Sequence, residues 1–165
     1  MDDFCGLFTI QSIYFYTFKN ILTNTVYKNV QLLLYRGNYY NFGTYMKQEI
    51  FVFGSNLAGI HGKGSAKEAL DNHGAIWGQG SGLQGNSYAI PTKDNQLQVM
   101  PTNEIFRYVI TFLDFAAKHP EMTFNIVAVG CGLSGYSPKE IAPMFEGFTE
   151  NCVLPPEFLE ILCKK

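Results

Sequence analysis

Two glycine-rich runs could do chemistry in this chain: FGSNLAGIHGKGS at residues 53–65 and GCGLSGY at residues 130–136. Each follows an apolar stretch and precedes a helix-like pattern. Glycine costs backbone entropy, so such clustering implies that the main chain comes close to something. At a helix N-terminus the unpaired N–H groups and the positive end of the dipole hold an anion, most often phosphate. Two matching loops point to two phosphates. The candidate contacts in the first are Ser55, Asn56, Gly59, His61, Gly62, Gly64 and Ser65. In the second they are Gly130, Cys131, Gly132, Leu133, Ser134, Gly135 and Tyr136. The plain alternative is that these glycines only let a helix pack tightly against a strand.

The reactive side chains are few. Lys93 closes the stretch SYAIPTK and is a nucleophile only as the neutral amine. His61 either touches a phosphate or ribose or faces solvent. Cys131 either has its acidity raised by a helix entrance or is a buried structural thiol. Gln79 and Gln84 are possible pocket borders, and Trp77 is expected in core or edge packing rather than on a nucleobase. The nucleoside-triphosphate loop motif fails, because Gly62-Lys63 is followed by Gly64 and Leu57 stands where the upstream glycine belongs. Gly130, Gly132 and Gly135 satisfy the dinucleotide pattern GxGxxG, yet too little chain follows to build that fold on it.

Composition limits the choices further. The chain has 165 residues, 47% of them hydrophobic, and a net charge of −2, the profile of one globular domain with a real core. Twelve Lys and Arg against fourteen Asp and Glu leave no basic surplus for nucleic acid. Cys5, Cys131, Cys152 and Cys163 show neither metal-binding nor disulfide-framework spacing, so no metal or cofactor is expected and a reducing cytoplasm is the default. Residues 1–45 are rich in aromatics and poor in acids, and their apolar run from Phe4 to Phe18 is too short and too interrupted for a membrane span. Two readings stay open for that segment. It is an extension ahead of a domain at 46–165 that starts at Met46, or it supplies an opening strand at 30–37.

The elements that must position the loops alternate. Apolar runs at 49–53, 87–90 and 124–129 read as strands, with a last short one at 153–155. Ile105, Val109, Phe112 and Ala116 recur at helical spacing in a helix capped by Thr102 or Asn103 and closed by His119-Pro120. Ser65 with Glu68, and Ser137 with Glu140, have capping-box spacing, with Pro138 set for a first helical position. Gly74 is expected just past the end of the first helix. Ile141, Met144, Phe145 and Phe148 are expected to face inward. The rhythm is that of an α/β sandwich.

The stretches VFGSNLAGIHGKGSA, GNSYAIPTK and GCGLSGY resemble the macro domains, which bind ADP-ribose, over roughly residues 49–154. They also look like an uncharacterised macro-like family of bacteria and their phages. The resemblance implies a three-layer α/β/α sandwich with a mixed central sheet. It also implies that ADP-ribose or a related NAD-derived nucleotide is the partner. Asn56 would contact the distal ribose, residues 59–65 would cradle that ribose and one phosphate, and residues 132–136 would hold the other phosphate, with Tyr136 packed near the sugar. A branch that removes ADP-ribose from glutamate is similar in GKGSAKEAL, in GCGL and in a lysine after a threonine, so Lys93 would be its nucleophile. Two departures weigh against turnover: Gly64 and Ser134 stand where hydrolytic branches keep aspartates. Gly37-Asn38 is a faint echo of the family's adenine-reading pair, without its acid. The contrasting expectation is a non-enzymatic accessory protein that sequesters a nucleotide signal or binds a host protein.

Overall fold

The run QEIFVFGSN becomes the middle strand of a sheet, β1 (Gln48–Asn56), in the computed structural model, which describes residues 47–163. The segment 1–45, the strand expected at 30–37, Gly37-Asn38 and Cys5 lie outside the described residues. Apolar side chains on both faces let β1 be covered on both sides, as a central parallel strand requires. On one flank it pairs in parallel with β3 (Ser87–Lys93), with Phe51 opposite Ser87. On the other it pairs in parallel with β4 (Met122–Ile126), which pairs in turn with β5 (Cys152–Val153). A short β2 (Gly82–Gln84) adds antiparallel to β3 through the two-residue turn Gly85-Asn86. The order is β2-β3-β1-β4-β5, a mixed sheet.

Helices cover both faces. α1 (Gly64–Asn72) lays Ala66 and Ala69 on Phe53 and Ala89. On the opposite face α2 (Thr102–Lys118) buries Ile105, Val109, Phe112 and Ala116, the spacing expected of it. Phe112 meets Tyr88 and Phe124 edge-on, at centroid distances of 5.0 and 5.4 Å. The short α3 (Pro138–Ile141), a 3-10 turn at Ala142–Phe145 and α4 (Pro156–Leu162) complete that face, burying Ile141, Phe145 and Phe158.

The α/β alternation is as expected, but details differ. β1 and β3 run three residues beyond their apolar cores, because ladder bonds continue through Gly54–Asn56 and Pro91–Lys93. β4 stops at Ile126, and β2 and its hairpin were not foreseen. Ser65 and Glu68 form no capping box: the helix already starts at Gly64, so Ser65 lies inside it, and Glu68 accepts instead from the Asn72 amide at 2.8 Å. The Ser137 box does form, with both the backbone N–H and the hydroxyl of Ser137 donating to Glu140, at 2.9 and 2.8 Å. Pro101, rather than Thr102 or Asn103, precedes the first residue of α2. Gly74 follows the last turn of α1 at φ +72°, as its position implied. Phe148 is 36% exposed rather than inward, since the chain turns away after Phe145 through Gly147 at φ +83°.

Candidate functional site

The carboxyl ends of β1 and β3 and the loop after β4 meet at one end of the strands. This is where open α/β sheets place ligands, at the strand from which connections leave to either side. Three contacts bring the sequence-predicted residues together there. A Cβ placed on Gly54 would lie 3.5 Å from the Gly130 nitrogen, so the second loop rests on the end of β1. A Cβ on Gly64 would lie 3.7 Å from Leu133 Cδ1, so the tip of the second loop lies beside the start of α1. The hydroxyls of Thr92 and Ser134 are 2.8 Å apart, which ties the same loop to β3.

Much of the first loop is occupied by the protein itself. A Cβ on Gly59, at φ +66°, would fall 2.3 Å from the Gly78 carbonyl carbon, so what Gly59 approaches is the chain at 78–79. The Gly78 N–H also donates to the Gly59 carbonyl at 2.9 Å. Asn56 braces the turn with both ends of its amide, donating to the Ile60 carbonyl at 2.8 Å and accepting from the Ile60 N–H at 3.0 Å. Ser55 is buried, and its hydroxyl donates to the Asn56 carbonyl. His61 faces neither ligand nor solvent. It is fully buried, edge-on to Phe53, with Nε2 3.1 Å from the Gln79 carbonyl. A carbonyl can only accept, so Nε2 carries a proton, while Nδ1 has no partner among the described residues.

What the first loop leaves open is its far end. Gly62, Lys63 and Gly64 are exposed, a Cβ on Gly62 would meet nothing within 4 Å, and Ser65 is half-buried. No side chain caps α1 and no acid lies in its first turn. The first-turn N–H groups, the dipole and Lys63 therefore combine into a positive, unfilled corner.

The second loop is folded in on itself. The N–H groups of Cys131, Gly135 and Tyr136 donate to the carbonyls of Ala128, Gly132 and Gly130. That leaves Gly132, Leu133 and Ser134 as its presenting apex. The Tyr136 hydroxyl donates to the Met100 carbonyl at 2.6 Å, so this side chain anchors the loop to the segment ahead of α2. The Cys131 thiol is pushed up from its ordinary value, chiefly by burial and further by the carboxylates of Glu157 and Glu140. This agrees with the reading of Cys131 as a structural thiol rather than a helix-entrance thiolate: α3 is only four residues long and the nearby charge is negative.

Lys93 is half-buried, opposite Asn56 in the ladder, and its ammonium makes no hydrogen bond or ion pair with the described residues. The register slips here, with Ser55 opposite Pro91 but Asn56 opposite Lys93, so regular strand alternation does not set the direction of the Lys93 side chain. Asp94 is committed elsewhere, accepting from the N–H groups of Gln96 and Gln98 at 2.9 and 2.8 Å.

Gln79 and Gln84 act as braces. The Gln79 amide donates to the Leu83 carbonyl at 3.0 Å, and that of Gln84 to the Gln79 carbonyl at 3.2 Å. Trp77 is 59% exposed, contrary to the packing expected of it, although its neighbour Gly78 is fixed to the first loop. Sequence reasoning missed Thr92 as a site residue and missed that the run GQGSG packs against residues 56–59. The only available signal was the glycine density at 78–82, which does not name a partner.

An open depression of about 390 Å³ lies at the opposite end of the strands, lined in part by Lys47, Pro120, Glu150 and Asn151. Its buried polar group is spent, since the Asn151 amide donates to the carbonyls of Ala116 and His119. Among the described residues no group of three His, Cys, Asp or Glu side chains could hold a metal, and no helix is long and apolar enough to cross a membrane. Compared with protein-family models, with curated proteins and with solved structures, the chain matches none.

Proposed function

We propose that residues 46–165 form a macro-like α/β/α domain that binds ADP-ribose or a related NAD-derived nucleotide at the carboxyl ends of β1 and β3. The observation that carries this reading is the approach of the two glycine loops beside an uncapped helix start, where Leu133 lies next to Gly64. One phosphate is held by the first turn of α1 with Lys63, the other by the N–H groups of Gly132 and Leu133. Holding the ligand is favoured over cutting it. The Ser134 hydroxyl is paired with Thr92, and Asp94 is bound into its own turn.

Trp77 is the chain's one tryptophan and is exposed beside the first loop, so its fluorescence reports on the site. Titration with ADP-ribose, followed by calorimetry and by this emission, should saturate; no response at about 1 mM ligand overturns the reading. Release of ADP-ribose from a modified glutamate by the wild type, lost in Lys93→Ala, would overturn the preference for holding. A second reading, a surface for a host protein, draws on the exposed Ile76 and Trp77 held on a fixed backbone. Trp77→Ala with unchanged nucleotide binding would separate that surface from the nucleotide site.

A further inference from the structure

Among the described residues β2 is the outer strand of the sheet, so one of its sides has no ladder partner. An exposed strand edge is a template on which another chain can pair. Gln84 and Ser87 flank the two-residue turn Gly85-Asn86 and stand opposite each other in the ladder. In such a hairpin the flanking pair exchanges the ladder bonds, so the N–H and C=O of Leu83 point away from β3, as do those of Ser81 two residues earlier. Both outward carbonyls are taken. The Gln79 side-chain amide donates to the Leu83 oxygen at 3.0 Å and to the Ser81 oxygen at 3.3 Å. Carbonyls only accept, and the two protons of the amide nitrogen match the two oxygens. Gln79 therefore stands where the N–H groups of a neighbouring strand would stand. Its own backbone is fixed from behind: its carbonyl lies 3.1 Å from His61 Nε2 and accepts from the Gln84 amide at 3.2 Å, and its N–H donates to the Ile76 carbonyl at 3.1 Å.

We infer that the Gln79 side chain closes the β2 edge against strand pairing with a second copy of this chain. Every copy carries the same edge, and two such edges can meet antiparallel about a two-fold axis, which makes the contact self-complementary. The need for closure is local. Leu83 is exposed on β2 itself, and the exposed Ile76 is tied to that strand by its N–H, which donates to the Gln84 side chain. Trp77, also exposed, follows it. An incoming strand would thus find apolar surface beside free backbone groups. With Gln79 in place, its first two acceptors are already filled. The inference is independent of the proposed nucleotide site.

The test is self-association of the full chain, followed by light scattering over a concentration series, for wild type, Gln79→Met, Gln79→Ala and the double variant Gln79→Met with Leu83→Lys. Methionine keeps the side-chain length and removes the N–H groups, while the backbone carbonyl stays with His61 and Gln84. Gln79→Met should tighten self-association about tenfold or more, the equivalent of the hydrogen bonds released to an incoming strand. Gln79→Ala should do the same, so the test does not hang on one variant. Leu83→Lys puts a charge on the edge and should return Gln79→Met to the wild-type curve. Urea unfolding of each variant separates association of the folded chain from aggregation of an unfolded one. If neither Gln79 variant associates more than the wild type, the inference falls. It falls equally if Leu83→Lys leaves the new association in place, because the contact then runs through another surface.

Discussion

The two glycine loops read alike as sequence and are built differently. The first is packed against its own protein: Gly59 is covered by residues 78–79, Asn56 braces Ile60, and His61 is sealed beneath. Only its last residues are open, at a nine-residue helix that nothing caps. The second loop is tied down at its flanks by Thr92–Ser134 and Tyr136–Met100, presents its apex, and leads into a four-residue helix capped by its own Glu140. A pattern that suggested two equal phosphate cradles therefore resolves into one dipole-based corner and one backbone apex. Glycine in a loop marks close approach, but only packing tells whether ligand or protein makes it.

The sharpest way to break this contrast is within the first loop. Gly59→Ala should cost about 3 kcal/mol or more in urea unfolding, because the new methyl meets fixed backbone at a positive φ. Gly62→Ala should stay within about 0.5 kcal/mol, because its Cβ enters open space. Equal costs at the two positions would erase the division between the filled and open parts of the loop. Asn56→Ala should cost about 2 kcal/mol by the same measurement, since it leaves the Ile60 N–H and carbonyl without partners.

Smaller effects sharpen the picture of the second loop. Tyr136→Phe should cost about 1 kcal/mol, and a loss near zero would mean that the Met100 bond does not hold the loop. Cys131 should react with a maleimide more slowly than the exposed Cys163, as mass spectrometry of the labelled peptides would show. Glu140 titrates below its ordinary 4.5 because the backbone and hydroxyl of Ser137 donate to it. Its stabilising contribution is present above pH 4.5 and disappears as pH falls through the lower folded value. Glu140→Gln should flatten that part of the pH profile of stability; an unchanged profile would mean that the cap is not formed in solution.

Local order was legible because it depends on nearest neighbours. The period of Ile105, Val109, Phe112 and Ala116 set the buried face of α2, and Ser137-Pro138 with Glu140 set the start of α3. The Ser65 box was misleading, since Gly64 opened the helix one residue too early for serine to cap it. The strand β2 was hidden because three residues of GLQ carry no alternation to read.

By itself, the sequence determined an α/β chain with two glycine loops, each after a strand, and a lysine closing β3. The tertiary structure decided which glycines touch protein and which touch open space. It turned His61 inward and paired Ser134 with Thr92. Those outcomes depend on contacts such as Gly59 with Gly78 and Thr92 with Ser134, which join segments separated along the chain. Spacing along a sequence fixes faces and caps, whereas which hydroxyls come within hydrogen-bond distance is fixed only by the partners that folding places side by side.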